Sequence, residues 1–160
     1  MAWTASAIFR EMITQAFDRT EVWDLDSDAK KVALFNNSIT PDKDATLTGY
    51  NEASGQWLVA NEVIDTSGGG TDWPAGGRSL VNGLLTNPAS GVIMFDADNT
   101  ASAGATTDIA SAMGCLVYND ALTTPDDPGI SYNWFTTAQS VTNGTFTVVW
   151  HANGIFRITV

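Results

Sequence analysis

Three aspartates at alternate positions, Asp24, Asp26 and Asp28, are the arrangement in this sequence that most nearly matches a metal-binding pattern. Carboxylates at this spacing open the calcium loop of an EF-hand, which also needs a glycine at its sixth position and a glutamate at its twelfth. Those two positions hold Ala29 and Phe35 in this chain. The sequence therefore predicts an acidic turn before a strand, and no metal site.

The residue types best suited to acid–base or nucleophilic catalysis are represented by His151 and Cys115, each the single residue of its kind. His151 stands in a predicted turn, and no serine lies in the Gly-x-Ser-x-Gly context of a nucleophile elbow. Cys115 stands in an apolar stretch, where cysteine is typically a small buried hydrophobic residue. The glycines of residues 68–77 lack the spacing of a phosphate-binding loop. These patterns predict a protein that is not an enzyme and has no cofactor.

The charge balance is the strongest feature of the composition, since 18 acidic residues against 7 basic ones give a net charge of −11. Such a surface repels phosphates, which argues against a nucleic-acid partner. No apolar run reaches the roughly 20 residues of a membrane span, and the N-terminus lacks the basic start and apolar core of a signal peptide. We expect one soluble domain over residues 1–160, made in the cytoplasm, with no membrane partner.

One amphipathic helix is predicted near the N-terminus, over about residues 5–19. Thr4 or Ser6 is suited to serve as its N-cap. A helix of this length is marginal alone and needs a surface for its apolar face, either its own sheet or a neighbouring subunit. The apolar positions that recur with helical spacing are Phe9, Met12, Ile13, Ala16 and Phe17.

After the helix the pattern is one of short strands separated by turns. The stretch at residues 46–64 fits either a helical stripe or a strand, and residues 113–118 are apolar on both faces, which indicates a central strand. About eight strands after one helix predict a mainly β fold, either an antiparallel β-sandwich of jelly-roll or Ig-like type or a barrel. The predicted strands are a short one beginning at Val22 and those at residues 30–35, 78–85, 92–95, 110–118 and 130–136, with Asn87-Pro88 as a separating turn.

Residues 144–160 are predicted to form a closing β-hairpin. Apolar and polar residues alternate on both sides of residues 151–154, and the Asn-Gly pair in this turn supplies the positive φ angles of a tight hairpin. Phe146, Val148 and Trp150 share one face of the first strand, so Trp150 is predicted to be buried. We expect this hairpin to complete the fold and to contribute strongly to stability.

Three of the six tryptophans, Trp3, Trp57 and Trp73, lie outside the clearest strands. Such rings either pack in the core and pin loops, or anchor a partner or a sugar at the surface. Both interpretations are open from the sequence. If they act at the surface, the N-terminal residues 1–6 and the loop at residues 66–77 are the segments expected to reach a partner. The predicted interaction residues are Trp3, Phe9, Trp73 and Pro74.

Several short motifs follow one another along the chain: the acidic turn and Lys-Val-Ala-Leu strand of residues 24–34, Asn-Glu-Val at 61–63, Gly-Thr-Asp-Trp at 70–73, Ala-Gly-Gly at 75–77, Ile-Met-Phe-Asp-Ala-Asp at 93–98, Val-Tyr at 117–118, and Phe-Thr-Val-Val-Trp-His-Ala-Asn-Gly at 146–154. Their order resembles a broad family of small tailed-phage virion structural proteins. Ile93 stands where that family has valine. The resemblance covers nearly the whole chain, and the segment 52–60 and the three glycines at 68–70 depart from the pattern.

The resemblance implies a virion structural protein, with no catalytic residues to carry over. The location it favours is the outside of the phage head, where a decoration (cement) protein binds the major capsid protein. The net charge agrees with an outer surface away from packaged DNA, and a cyclic homo-oligomer, a trimer, matches the symmetry of a shell. The alternative is a tail or receptor-contact protein, including a carbohydrate-binding β-sandwich module.

Overall fold

The structure is a computed structural model that describes residues 3–18, 22–67 and 69–160. It is mainly β, with antiparallel sheets and a helix near the N-terminus. This confirms the predicted fold class. In chain order the elements are β1 (Ala7–Ile8), α1 (Arg10–Asp18), β2 (Lys30–Phe35), a 3-10 helix (Val59–Asn61), β3 (Glu62–Val63), β4 (Arg78–Ser79), β5 (Leu84–Ala89), β6 (Val92–Asp96), β7 (Thr100–Ala101), β8 (Thr107–Asn119), β9 (Gly129–Gly144), β10 (Thr147–Val148) and β11 (Phe156–Thr159).

The strands form one large sheet and two small ones. In the large sheet the order is β1-β9-β8-β2-β3, and β4 also pairs with β2. A three-stranded sheet has the order β11-β6-β5, and β10 pairs with β7. All these pairs are antiparallel. The arrangement is consistent with a β-sandwich.

The long strands β8 and β9 form the centre of the large sheet. Cys115, Leu116 and Val117 in β8 are all fully buried, because β2 and β9 flank this strand on its two sides and its two faces meet apolar neighbours. The neighbouring strand β2 buries Val32 and Leu34 completely. The predicted central position of residues 113–118 is therefore confirmed.

Four aromatic side chains pack around Trp57, which makes a cluster of five rings. The ring centroid of Trp57 lies 5.7 Å from that of Trp3, 5.9 Å from Phe9, 5.1 Å from Phe35 and 5.9 Å from Tyr132. The first three contacts are edge-to-face, the arrangement that the ring quadrupole favours. The cluster joins residues from the N-terminal segment, β2, the loop before β3 and β9, so it holds distant parts of the chain together.

Trp3 attaches the N-terminal segment to the large sheet. Its Nε1 donates a hydrogen bond to the backbone oxygen of Asn36 at 3.0 Å. Its ring approaches Gly114 so closely that a Cβ at that position would lie 2.3 Å from the ring. Gly114 is therefore needed for the approach of the ring to the strand.

The helix is shorter than the predicted range of residues 5–19. Ala7 and Ile8 pair with β9 as the short strand β1, and α1 occupies Arg10–Asp18, while residue 19 lies outside the described residues. The N-terminal boundary was predicted wrongly because pairing with a strand far along the chain outweighs helical periodicity here. Phe9 and Met12 are buried, but Phe17 is 83% exposed.

The C-terminal residues do not form the predicted hairpin of two paired strands. The strand β10 pairs with β7, whereas β11 pairs with β6 in another sheet. The turn exists, with the amide of Gly154 donating to the oxygen of His151 at 2.7 Å. Its central residues are Ala152 and Asn153, and the positive φ falls on Gly154 at 78°. The chain therefore leaves this turn toward a different sheet.

Three shorter predictions are also corrected. Val22 begins no strand, because the acidic residues after it fold into a turn. The predicted strand at residues 78–85 is divided between β4 and β5. Asn87-Pro88 lies within β5, at a register shift against β6, where proline is tolerated because β5 is an edge strand. The ambiguous residues 46–64 contain the 3-10 helix and β3.

Trp150 is half-buried, so the prediction that it is a core residue is wrong. Its Nε1 donates to the oxygen of Asp98 at 3.0 Å, and its backbone amide donates to Oδ1 of Asn99 at 3.1 Å. These bonds attach the ring to the loop after β6, at the margin of the core, against which it is packed. Trp57, in contrast, has no exposed surface.

We predict that Trp57→Ala lowers the free energy of unfolding by about 3–5 kcal/mol, because it removes the central ring of a buried cluster. Trp150→Ala is the matched comparison and should cost about 1–2 kcal/mol, since its ring is only partly buried. Urea denaturation of both variants measures the two values. Equal losses for the two variants would contradict the assignment of Trp57 as the centre of the core.

Candidate functional site

The predicted interaction residues lie mostly in the core. Trp3 is 2% exposed, and Phe9 and Trp73 have no exposed surface. Their proposed role as surface anchors is therefore corrected, since a ring enclosed by its own domain has no face left for a partner. Trp73 packs against Phe146 with ring centroids 5.6 Å apart. Pro74 is partly buried.

The loop at residues 66–77 is held in place by the carboxylate of Asp65. Oδ1 of Asp65 accepts hydrogen bonds from the backbone amides of Ser67 and Asp108, both at 2.9 Å, and Oδ2 accepts the amide of Asp72 at 3.3 Å. These donors, of which the amide of Asp108 matters most, lower the pKa of Asp65 to about 2. Asp65 therefore joins the described part of this loop, which the sequence suggested as a segment that reaches a partner, to β8.

The two candidate catalytic residues stand in unrelated settings. Cys115 is fully buried in β8, and this burial raises the pKa of its thiol far above the ordinary value. His151 is exposed, and its Nδ1 accepts the backbone amide of Asn153 at 3.1 Å. The thiol is thus kept protonated, and the imidazole caps its own turn.

The aspartates of residues 24–28 are acceptors for the chain itself. Oδ1 of Asp24 accepts the amides of Asp26 and Ser27, and Oδ2 of Asp28 accepts the amide of Asp24 at 3.0 Å. Oδ1 of Asp26 accepts the amide of Leu85 at 2.6 Å, which attaches this turn to β5. Within residues 3–18, 22–67 and 69–160, no group of three or more His, Cys, Asp and Glu side chains is placed to hold a metal ion.

Glu62 is the partly buried carboxylate with the most developed hydrogen-bond network. Its Oε2 accepts the hydroxyl of Tyr50 at 2.7 Å, and its Oε1 accepts the amide of Gly76 at 2.9 Å. Tyr50 stacks on Tyr118, whose hydroxyl donates to the oxygen of Gly76 at 2.7 Å. Desolvation raises the pKa of Glu62 to about 6 in spite of these donors. The network joins β3, β8 and the turn before β4, so its role is structural.

The best-formed candidate for an interaction surface is an open apolar groove of about 350 Å³. It lies between α1, the turn at residues 23–26 and one face of the three-stranded sheet, and we call it the α1 groove. Its lining residues are Met12, Ile13, Ala16, Phe17, Trp23, Asp24, Leu25, Asp26, Leu85, Ile93, Phe156 and Ile158.

Cross-strand pairing explains why this face of the sheet is apolar. Leu85 and Phe156 are both paired with Phe95, and Ile93 is paired with Ile158, so these side chains share one face. Phe95 is fully buried, whereas Leu85 is 41% exposed. The core therefore covers only one end of the face, and the other end opens into the α1 groove.

The opposite wall of the α1 groove is formed by a helix that is only partly docked. Met12 is 7% exposed, but Phe17 on the last turn is 83% exposed. Asp24 and Asp26 also line the groove, and the pKa of Asp24 is lowered chiefly by its hydrogen bond from Ser27, so its carboxylate is ionised at neutral pH. The groove thus combines exposed apolar side chains, Phe17 and Leu85, with negative charge beside them.

The sequence pattern places several of the groove residues on apolar faces, but it does not show that these faces meet. The helical spacing predicts an apolar face that includes Phe17 and packs on its own sheet or on a neighbouring subunit, and the alternation of residues 144–160 predicts an apolar face in the last strand. Leu85 and Ile93 gave no signal of their own, because only the pairing of β5, β6 and β11 puts them beside α1. The one sequence signal for this groove is that the chain has more predicted apolar faces than a single core can cover.

Comparisons with protein-family models, with curated proteins and with solved structures find no match for this chain. The resemblance to phage virion proteins therefore depends on the order of its sequence motifs. None of the helices in the described residues has the length and apolar character needed to cross a membrane.

We predict that the raised pKa of Glu62 makes part of the stability depend on pH. The unfolded pKa is 4.5 and the folded pKa is about 6, so protonated Glu62 favours the folded state. This contribution is complete below pH 4.5 and is lost as the pH rises through 6. After allowance for solvent screening it amounts to about 1 kcal/mol.

The measurement is the free energy of unfolding of the wild-type protein and of Glu62→Gln, by urea denaturation between pH 4.5 and 7.5. The free energy of unfolding of the wild type, minus that of Glu62→Gln, should fall by about 1 kcal/mol as the pH rises. Asp127, whose pKa burial also raises to about 6, leaves some pH dependence in both proteins. Glu11→Gln on α1 controls for the loss of one negative charge. Parallel curves for wild type and Glu62→Gln would contradict the prediction.

Proposed function

We propose that this chain is a structural protein of a tailed-phage virion, which decorates the outside of the head and contacts the major capsid protein through the α1 groove. The observation that carries the proposal is the uncovered apolar face of this groove on a protein with a net charge of −11. The motif order described above supplies the virion context. The proposed task is structural, and no catalytic residue takes part in it.

The α1 groove has the physical character of a protein-contact surface. Apolar side chains gathered on one exposed face commonly mark an interaction site, whereas single exposed ones need no explanation. Phe17, Leu85 and Ile93 converge on this face from the helix and from two strands. Phe17 is the natural anchor, because a large ring that is 83% exposed has the most surface to bury against a partner.

The charges beside the groove define the chemistry of its partner. Asp24 and Asp26 lie at the same opening as Phe17, so a partner segment that carries only apolar residues would bring no positive charge to these two carboxylates. We propose that the occupant is an exposed segment of the capsid protein in which apolar side chains are flanked by Lys or Arg. Such complementarity raises the association rate and selects the partner.

The overall charge supports a position outside the shell. A protein with a net charge of −11 is repelled by packaged DNA. It is also repelled by its own copies, so several copies on one shell need a stabilising contact with the shell or with each other. We propose a symmetric homo-oligomer, a trimer, because repeated shell sites allow modest contacts to add up through multivalency.

The location of the protein on purified virions tests the proposal. Gold-labelled antibodies against the chain, or density in a head reconstruction, should place it on the outer surface of the head, and the purified chain should sediment as an oligomer. Finding the protein only on tails would overturn the head assignment and favour the tail or receptor-contact alternative.

We predict that Phe17→Ser weakens binding of the purified protein to heads of the phage that encodes it by about tenfold or more, the loss typical of an anchor residue. Its effect on unfolding should stay within about 0.5 kcal/mol, because the ring is exposed. Val59→Ser, at another exposed apolar position (50%) away from the groove, is the matched control. Co-sedimentation with the heads measures both, and equal binding by the two variants would contradict the assigned surface.

A further inference from the structure

A second groove, outside the α1 groove, is created by an interruption in the central hairpin. Between the pairs Gly114–Trp134 and Ala112–Gln139, β8 contributes the single residue Met113. The strand β9 inserts residues 135–138 over the same interval. These extra residues cannot be accommodated in a regular ladder, so they form a bulge on β9.

The bulge is a strained and well-anchored feature. Thr136 has a φ of 66°, which is rare for a β-branched residue and persists only where the surrounding structure imposes it. The backbone amide of Trp134 donates to Oγ of Ser6 at 2.9 Å. On the other side, the amide of Ser111 donates to Oγ of Ser140 at 2.9 Å. The chain is therefore fixed on both sides of the bulge.

The bulge brings two consecutive aromatic side chains to one cavity. Successive residues of a regular strand point to opposite faces, yet Trp134 and Phe135 both line the same open groove of about 370 Å³. The buried Phe146 and the exposed Thr147 also line it. We call it the bulge groove. Its volume falls within the range of about 300–1,000 Å³ that small-molecule sites occupy.

The bulge groove differs from the rest of the surface in its charge. None of the described residues that line it is charged, although the chain as a whole carries −11. A charged ligand would find no ion pair in this groove, and an anionic one would also be repelled by the surrounding protein. The groove therefore favours a neutral ligand.

The polar groups of the bulge groove fit a ligand that has many hydroxyls. Nε2 of Gln139 donates to the backbone oxygen and the hydroxyl of Thr137, both at 3.0 Å, which leaves its Oε1 as an acceptor. Thr147 adds a hydroxyl at the exposed edge. The amide oxygen of Gln139 and the hydroxyl of Thr147 thus belong to the same groove as two aromatic side chains.

We infer that the bulge groove binds a neutral saccharide. A pyranose ring has an apolar C–H face that packs on aromatic rings and equatorial hydroxyls that both donate and accept hydrogen bonds, which is the combination offered by Trp134, Phe135, Gln139 and Thr147. A site of this kind would let the protein hold a neutral glycan while another surface contacts its protein partner. The inference depends on this groove alone and is independent of the proposed location on the phage head.

The test uses the purified full-length protein and a panel of neutral oligosaccharides that end in glucose, galactose, mannose or N-acetylglucosamine. Saturation-transfer NMR identifies the sugars that bind, and calorimetry measures their affinity. At least one neutral sugar should bind saturably, and Phe135→Ala should weaken that binding about tenfold by removing an aromatic face. A sialylated and a sulfated sugar serve as charged probes, which should bind less well.

Two further variants make the result specific to this groove. Thr147→Val removes only a hydroxyl from an exposed strand position and should weaken binding without unfolding the chain, so it replaces Phe135→Ala if that variant is misfolded. Phe17→Ala removes an exposed aromatic ring from the α1 groove and should leave sugar affinity unchanged. The inference is overturned if no neutral sugar in the panel binds saturably, if the charged sugars bind better, or if binding persists unchanged in the bulge-groove variants.

Discussion

The packing of Trp3 against Gly114 is the contact on which the arrangement of the N-terminal segment, residues 3–18, depends. Only a residue without a side chain lets the indole lie this close to β8, since a Cβ would be 2.3 Å from the ring. Once Trp3 is in place, β1 can pair with β9, and the amide of Phe9 can donate to the oxygen of Ile130 at 3.1 Å. The start of α1 is thereby set, and with it the wall of the α1 groove.

The many carboxylates of this chain act largely as internal acceptors. Asp65 binds amides of its loop and of β8, Asp26 binds the amide of Leu85, and Glu62 binds Tyr50 and Gly76. A carboxylate that accepts two or three backbone amides satisfies donors that a turn leaves unpaired. The acidic loops therefore resemble ligand sites in sequence while serving to order the connections between strands.

The two candidate surfaces arise where regular structure stops short. The three-stranded sheet extends beyond the part of α1 that is docked, so Leu85 and Ile93 are left uncovered beside Phe17. The hairpin of β8 and β9 loses its register at residues 135–138, so Trp134 and Phe135 reach one groove. In both places, neither secondary-structure propensity nor amino-acid composition explains the exposed apolar surface. It results from a mismatch between elements that pack together elsewhere, and such mismatches are where a fold can present function without losing its core.

The sequence by itself determined the fold class, the central position of residues 113–118, and the charge that argues against a nucleic-acid partner. These follow from local alternation and composition, which do not depend on partners. Tertiary structure decided which strands pair. Asn153-Gly154 predicted a hairpin, yet β10 and β11 pair with β7 and β6, because strand partners are chosen by contacts distant in sequence. Tertiary structure also decided which side chains are buried. Trp3, Phe9 and Trp73 are core residues. Phe17 is exposed, although it has the same helical spacing as Phe9. Both grooves combine side chains from separate elements, and only the folded chain brings those together.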